Sequence, residues 1–190
     1  MGTGPVATRP FAGAVLTGGR SRRMGRDKAL LVVGERPMAA RAADALRGAG
    51  ADPVVAVGGD APALAVAGLD VIPDLHPSEG PLGGLLTVFA ALVDHDLVAV
   101  IATDLPDVTS ELLTRLVDDL GDDDAVFAAA DRLEPLCGVW RVATCQPVVA
   151  KAFADGERAV HRAVVPLRHH TVSAPAHLLR NVNEPDDLAR

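Results

Sequence analysis

The chain has 190 residues, of which 49% are hydrophobic and 23% charged, and its formal net charge is −7. This size and composition predict one globular domain with a proper hydrophobic core, and no apolar run approaches the roughly 18 residues that a membrane-spanning helix needs. A chain this acidic is poorly suited to bind a nucleic-acid backbone, so we expect a cytoplasmic protein without nucleic-acid or membrane partners.

Residues 1–10 contain two Pro and no apolar signal-peptide core, which predicts a disordered leader before a single domain at residues 11–190. Within that domain, short apolar strands alternate with helices along the chain. This alternation predicts an α/β fold with a mostly parallel, twisted sheet and helices on both faces.

Strands are predicted at residues 12–17, 53–57, 70–72, 97–102, 125–130 and 136–141, and we expect the last to be antiparallel or at a sheet edge. Helices are predicted at residues 37–47, 82–93, 144–154 and 158–165, with another after a cap at Thr109 or Ser110. An extended piece at residues 180–183 precedes a final turn of helix. Cys137 and Cys145 have neither a zinc-site nor a disulfide-scaffold pattern, which predicts reduced core residues.

The first predicted strand runs into a loop rich in Gly and Arg, LTGGRSRRMGRDK at residues 16–28. Residues 18–28 carry a net charge of +4, so the other 179 residues carry −11. Glycines let backbone N–H groups close around phosphate oxygens, and Arg and Lys supply the opposite charge. The pattern therefore favours a binding loop for a nucleoside triphosphate over a solvated basic turn. It is not a Walker loop, because Lys28 comes three residues after Gly25.

Two further motifs lie where a ligand would bind in an open α/β sheet, outside the carboxyl ends of the strands. The sequence TDLP at residues 103–106 directly follows the predicted strand 97–102, and its Asp104 is suited to hold Mg²⁺ against nucleotide phosphates. The alternative role for Asp104 is to cap a turn before Pro106. Asn181 and Asn183 would point to the same face of an extended segment, where Asn183 could reach the metal or the substrate, although turn capping is the simpler interpretation.

Five segments together resemble the successive motifs of the molybdenum cofactor guanylyltransferase (MobA) family. They are LTGGRSRRMGRDK at residues 16–28, GPLGG at 80–84, TDLP at 103–106, GER at 156–158 and NVNEPDDL at 181–188. Their order and spacing match over roughly residues 12–190. The first motif is typical of nucleotidyltransferases in general, and the last narrows the resemblance to the molybdenum cofactor branch. The resemblance implies a Rossmann-like nucleotidyltransferase domain.

The resemblance also implies a reaction and a set of site residues. A phosphate oxygen of molybdenum-molybdopterin would attack the α-phosphorus of GTP, releasing pyrophosphate and forming molybdopterin guanine dinucleotide with Mg²⁺ as the cofactor. Lys28, which would bind phosphate, and Asp104, which would hold the metal, are the implied catalytic residues. The implied nucleotide-binding residues are Leu16, Gly18, Gly19, Arg23, Lys28, Asp74 and Asp104, and the implied substrate-binding residues are Gly83, Asn181 and Asn183. Proteins that deliver or accept the pterin are implied partners.

One departure from the family pattern leaves alternatives open. Family members can carry an Asn on the strand that matches residues 54–57, whereas this chain has Ala56, followed by Gly58-Gly59. The alternatives are a cytidylyltransferase acting on the same pterin and a guanylyltransferase acting on another small phosphorylated substrate. A third alternative, from a different class, is a non-catalytic nucleotide-binding regulatory module. The presence of both Lys28 and Asp104 argues against this module, because simple binding does not need the metal ligand.

Overall fold

The structure is a computed structural model that describes residues 9–18, 28–182 and 187. The strands are β1 (Ala12–Leu16), β2 (Val32–Val33), β3 (Arg36–Pro37), β4 (Val54–Val57), β5 (Asp70–Ile72), β6 (Leu97–Ala102), β7 (Ala125–Ala129), β8 (Leu133–Arg141) and β9 (His169–Ser173). The α-helices are α1 (Met38–Gly48), α2 (Ala61–Val66), α3 (Pro81–Ala91), α4 (Ser110–Asp119), α5 (Val142–Ala154) and α6 (Val160–Ala163). Short 3-10 helices lie at Lys28–Leu30 and Ala176–Leu179.

The main sheet has seven strands in the order β5-β4-β1-β6-β8-β7-β9. Strand β1 pairs in parallel with both β4 and β6, and β4 pairs in parallel with β5. The carboxyl ends of these four strands therefore meet at one edge of the sheet. Strand β8 is antiparallel to its neighbours β6 and β7. The prediction of a mostly parallel sheet is confirmed. The antiparallel strand β8 lies in the interior of the sheet and is not one of its two outermost strands.

Helices cover both faces of the sheet because the side chains of its central strands alternate between two apolar cores. On β1, Val15 belongs to the core that includes Leu46 of α1 and Leu116 of α4. The neighbouring Ala14 belongs to the other core, with Phe89 of α3 and residues of α5 and α6. This period of two is the pattern expected for strands buried on both sides, and it confirms the predicted layer arrangement.

Several elements differ from the sequence predictions. Strand β9 was not predicted, since its sequence HHTVS is polar; it is an edge strand that pairs only with β7 in the described sheet. Helix α2 was also missed because it has only six residues, stabilised at its start by the side chain of Asp60. Strand β8 starts at Leu133, before the predicted residue 136, and helix α6 is shorter than the predicted 158–165.

Residues 1–8 of the predicted leader and most of the predicted final turn of helix lie outside the described residues. Cys137 and Cys145 are free and buried, as predicted for core residues, and burial raises the pKa of each thiol to about 12. Neither thiol is therefore suited to act as a nucleophile at neutral pH. None of the helices in the described part of the chain is long and apolar enough to cross a membrane.

Candidate active site

The first predicted site segment begins where β1 ends, and hydrogen bonds tie it to the ends of two neighbouring strands. The hydroxyl of Thr17 lies 2.9 Å from the carbonyl oxygen of Val57 and 2.8 Å from that of Gly58, at the end of β4. On the other side, the hydroxyl of Thr103 donates to the carbonyl oxygen of Leu16 at 2.7 Å. Both threonines are buried. These hydrogen bonds therefore fix Leu16 and the start of the Gly-rich loop to the ends of the two neighbouring strands.

Lys28 and Asp104 form an ion pair at this same edge. The Nζ atom of Lys28 lies 3.4 Å from Oδ2 of Asp104, although the two residues are 76 positions apart in sequence. Their side chains are 17% and 31% exposed, so both remain accessible to a ligand in solution. The structure therefore brings together the predicted phosphate-binding ammonium group and the predicted metal-binding carboxylate.

The donor set at Asp104 fits Mg²⁺ better than a metal enclosed entirely by protein ligands. Among the described residues there is no group of three or more His, Cys, Asp or Glu side chains that could hold a metal ion. Mg²⁺ is commonly held by one or two carboxylates, with substrate phosphates and waters completing its coordination. Asp104 would supply the carboxylate in such a site.

Asp74 lies on the loop after β5 and reaches towards the start of the Gly-rich loop. Its Oδ1 atom accepts a hydrogen bond from the backbone N–H of His76 at 2.9 Å. Its Oδ2 atom would lie 3.7 Å from a Cβ built at Gly18. Gly18 in turn lies against Gly58, which has a φ of +79° and where an added Cβ would stand 3.2 Å from the Cα of Gly18. The predicted nucleotide-binding residues Gly18 and Asp74 therefore lie close together, separated by a narrow gap between the Asp74 carboxylate and the Gly18 backbone.

The position that matches the family's Asn does not face this gap. Ala56 is fully buried in the apolar core, and the residues that contact the Gly18 backbone are Val57 and Gly58. The side chain of Ala56 is therefore not part of the surface around Gly18 and Asp74.

Gly83 belongs to the GPLGG motif at the start of α3, and its contacts explain why the motif contains glycine. A Cβ at Gly83 would stand 2.7 Å from the Cβ of His76, closer than real Cβ atoms approach other atoms. A Cβ at Gly84 would stand 3.3 Å from Cδ2 of Leu16. These glycines let α3 pack closely against the 74–79 loop and the end of β1. The substrate-binding role of Gly83 stays a prediction.

The GER motif contacts the loop that leads into α3. The guanidinium group of Arg158 lies 4.1 Å above the ring of Phe153, and its Nε donates to the carboxylate of Glu79 at 2.8 Å. Glu79 directly precedes Gly80, so Arg158 anchors the loop that leads into α3.

The C-terminal segment reaches the Asp104 loop from the opposite end of the chain. The backbone N–H of Val182 donates to the carbonyl oxygen of Asp104 at 2.9 Å. Arg180 donates to the carboxylate of Asp107 from Nη2 at 3.0 Å and from Nε at 3.3 Å. Asn181 lies between these two attachments and is close to the Asp104 loop. The predicted site residues Gly19, Arg23 and Asn183 lie outside the described residues.

Sequence reasoning missed one acidic residue near this edge. Since β8 is antiparallel to β6 and Cys137 pairs with Ile101, Glu134 lies beyond the carboxyl end of β6. Its side chain is half-buried, and burial raises the pKa of its carboxyl group, with the negative charge of Asp104 raising it further. The available signal was an acidic residue within the otherwise apolar LEPLCGVW, but the predicted strand began two residues too late to include it.

Comparison with known proteins gives a consistent result. Residues 13–172 match the MobA-like NTP transferase domain family. The molybdenum cofactor guanylyltransferase of Cereibacter sphaeroides is 35% identical over 184 residues, which cover 94% of this chain and 93% of that protein. The protein of the same name from Xanthomonas euvesicatoria pv. vesicatoria is 41% identical over 129 residues, which cover 68% of this chain but only 64% of the relative.

A solved structure shares the fold over almost the whole chain. The crystal structure of molybdopterin-guanine dinucleotide biosynthesis protein A from Archaeoglobus fulgidus has a TM-score of 0.76 and 23% sequence identity. The similarity covers 94% of this chain and 95% of that one. This similarity confirms the predicted α/β fold.

Proposed function

Because the chain belongs to the MobA-like NTP transferase family, we propose that it transfers GMP from GTP to the phosphate of molybdenum-molybdopterin. The reaction releases pyrophosphate, forms molybdopterin guanine dinucleotide and takes place in the cytoplasm. The observation that carries this proposal is the pairing of Lys28 with Asp104 at 3.4 Å, at the shared edge of β1 and β6. Phosphoryl transfer from a nucleotide depends on positioning and on neutralising the charge of the phosphates, and a phosphate-binding cation close to a metal-binding carboxylate can supply both.

The chain's own residues position and neutralise charge in this reaction, and no protein nucleophile is needed. Lys28 binds a phosphate oxygen of GTP through a charge-assisted hydrogen bond. Asp104 would hold Mg²⁺, which would supply positive charge to neutralise the phosphates. The pterin phosphate oxygen attacks the α-phosphorus, and pyrophosphate leaves with the electron pair of the broken bond. The Thr103 hydroxyl fixes the residue before Asp104 to the end of β1, and the Thr17 hydroxyl fixes the start of the Gly-rich loop to the end of β4, so that these segments need little reorganisation during the reaction.

A single assay separates this proposal from its alternatives. The protein is incubated with Mg²⁺, each of the four nucleoside triphosphates in turn, and either molybdenum-molybdopterin or another small phosphorylated acceptor. Pyrophosphate release and the dinucleotide product are measured. We expect pyrophosphate release that requires both GTP and the pterin. Faster release with CTP would identify a cytidylyltransferase. Turnover of GTP only with another phosphorylated acceptor would identify a different guanylyltransferase, and GTP binding without turnover would identify a regulatory module.

A further inference from the structure

Thr87 on α3 has a fully buried side chain whose hydroxyl faces a predicted nucleotide-binding residue. Its Oγ1 atom lies 3.1 Å from Oδ1 of Asp74 and accepts a hydrogen bond from the backbone N–H of Leu75 at 3.0 Å. The same oxygen lies 3.2 Å from the carbonyl oxygen of Gly83, one helical turn earlier. The hydroxyl is therefore in contact with both the helix and the loop after β5.

The single proton of this hydroxyl has two acceptors within reach. One is the carbonyl oxygen of Gly83, which in a helix already accepts the backbone N–H of the residue four positions later. The other is the Asp74 carboxylate, and a hydrogen bond to an ionised acceptor is about twice as strong as one between neutral groups. Donation to Asp74 is therefore favoured. Together with the N–H of His76, which donates to the same oxygen at 2.9 Å, it holds Oδ1 of Asp74 from two sides.

Holding Oδ1 in this way orients the second carboxylate oxygen of Asp74. Oδ2 is the atom that would lie 3.7 Å from a Cβ at Gly18, so it faces the start of the Gly-rich loop. Asp74 itself is on a loop without regular structure, next to Leu75, whose side chain is 62% exposed. An acceptor in such a loop needs an anchor to keep one orientation, and the buried Thr87 provides one from a rigid helix.

We propose that Thr87 is a positioning residue, whose hydroxyl orients Asp74 so that its Oδ2 accepts a hydrogen bond from the nucleoside part of GTP. This inference rests on the proposed function, since it requires GTP in the site. The donor is a ribose hydroxyl or an N–H group of guanine, and both present the same hydrogen-bond chemistry to a carboxylate. Ala56 is buried in the core and cannot make this contact, whereas the Asp74 carboxylate, anchored by Thr87, faces Gly18.

The test compares Thr87→Val, which keeps the shape and removes the hydroxyl, with Thr87→Ser, which keeps the hydroxyl. The dissociation constant of GTP is measured by calorimetry in Mg²⁺, and kcat and KM are measured with the pterin. We expect Thr87→Val to weaken GTP binding about fivefold or more and to raise KM, while kcat at saturating GTP changes less than about twofold. Thr87→Ser should restore binding to within about twofold of wild type.

Asp74→Asn supplies the coupling measurement. If Thr87 acts through Asp74, Thr87→Val should change GTP affinity by less than about twofold when Asp74→Asn is already present. The analogues 2′-deoxy-GTP, 3′-deoxy-GTP, ITP and 1-methyl-GTP lack the 2′-hydroxyl, the 3′-hydroxyl, the guanine 2-amino group and the guanine N1–H, respectively. They identify the donor, because Thr87→Val should reduce the preference for GTP only over the analogue that lacks it. Equal losses for GTP and all four analogues, or effects of the two substitutions that simply add, would overturn the inference.

Thr114→Val is the matched control, because the Thr114 hydroxyl on α4 donates to the carbonyl oxygen of Ser110 at 3.0 Å, the same helical spacing as Thr87 and Gly83. It should leave GTP affinity unchanged. Thr87→Ala replaces Thr87→Val if the latter does not fold. A wild-type protein that binds no GTP would count against the proposed function, whereas GTP binding that Thr87→Val leaves intact would count against Thr87 alone.

Discussion

At the scale of single residues, Lys28 and Asp104 are suited to ligands of opposite charge, because one side chain is a cation and the other is an anion. Their side chains are in contact at 3.4 Å and remain partly exposed. In the proposed reaction, a triphosphate would bring negative charge for Lys28, and its metal ion would bring positive charge for Asp104. Substituting the two residues one at a time should therefore affect different steps.

Lys28→Ala should weaken GTP binding at least about tenfold, since a charge-assisted contact with phosphate contributes about 1.5–3 kcal/mol. Lys28→Arg should also be impaired, because a planar guanidinium does not replace a compact ammonium group. Calorimetric titration with GTP measures both effects. Lys151→Ala removes an equal charge from the surface of α5, where Lys151 pairs with Asp155, and serves as the control. Unchanged affinity in folded Lys28→Ala protein would show that this lysine does not bind phosphate.

Asp104→Asn keeps the shape of the side chain and removes its charge. We expect Mg²⁺-dependent turnover to fall about a hundredfold or more, as for other preorganised electrostatic groups. The loss of the partly exposed pair with Lys28 should change stability by at most about 1 kcal/mol. Pyrophosphate release and thermal unfolding without metal measure the two effects separately. If the variant keeps near-normal activity, the metal is held elsewhere and Asp104 is a turn cap before Pro106.

At the scale of elements, the C-terminal segment depends on Asp107 for its place beside the site. Asp107 accepts hydrogen bonds from Arg180 and also lies 3.7 Å from Arg41 of α1. Because these charges are only partly exposed, the pairing should contribute more than an ordinary surface ion pair. Arg180 thereby fixes the chain just before Asn181, one of the predicted substrate-binding residues.

Arg180→Gln should raise KM for the pterin several-fold and leave the affinity for GTP unchanged, because it releases Asn181 without altering Lys28. Steady-state kinetics with varied pterin, alongside GTP calorimetry, measures this separation. Arg115→Gln is the control, since the Arg115 side chain donates a hydrogen bond to a backbone oxygen of β9. An unchanged KM would argue against a substrate-binding role for this segment.

The interior of the sheet gives a stability prediction at β8. A Cβ at Gly138 would stand 2.4 Å from a ring carbon of Phe127 and 2.6 Å from the carbonyl oxygen of Val126. Gly138→Ala should therefore destabilise the fold by about 3 kcal/mol, the upper range for overpacking a core. Gly156→Ala is the comparison, because nothing lies within 4 Å of its added Cβ and only its φ of +91° opposes the substitution. Urea unfolding should show a loss of about 1 kcal/mol there, and equal losses at both positions would contradict the packing argument.

At the scale of the whole molecule, His170 joins the last strand of the sheet to the end of α4. Its Nδ1 lies 2.7 Å from a carboxylate oxygen of Asp123, and its Nε2 lies 3.3 Å from one of Asp119. The pKa of His170 is raised above 6.5, chiefly by the hydrogen bond to Asp123; burial acts in the opposite direction, and the hydrogen bond to Asp119 raises the pKa further. The protonated imidazole can donate to both carboxylates at once, whereas the neutral ring cannot.

This arrangement predicts a pH-dependent stability. A raised pKa in the folded state means that the stabilisation is fully present below pH 6.5 and is lost as the pH rises through the folded-state value. The side chain is 38% exposed, so solvent screening limits the effect to less than about 1 kcal/mol. We expect His170→Asn to lower the free energy of unfolding more at about pH 6 than at about pH 9. His177→Asn is the control, and an equal loss at both pH values would exclude the charged bridge.

The sequence by itself determined the features that depend on neighbours along the chain. Apolar runs predicted β6 at residues 97–102 and β5 at residues 70–72 with the bounds that the structure has. Parallel strands place their carboxyl ends at one edge, so the sequence predicts that Lys28, in the loop after β1, and Asp104, in the loop after β6, share a site.

Tertiary structure alone decided the features that depend on distant pairing. The polar β9 is a strand because β7 supplies its hydrogen bonds, and nothing in HHTVS predicts that partner. Glu134 joins the site because β8 runs antiparallel beside β6, and strand direction is set by the path of the chain through α4 and β7. Thr87 and Asp74 meet because α3 packs closely on the loop through Gly83. Local patterns report which residues become buried, whereas the packing of whole elements decides which of them touch.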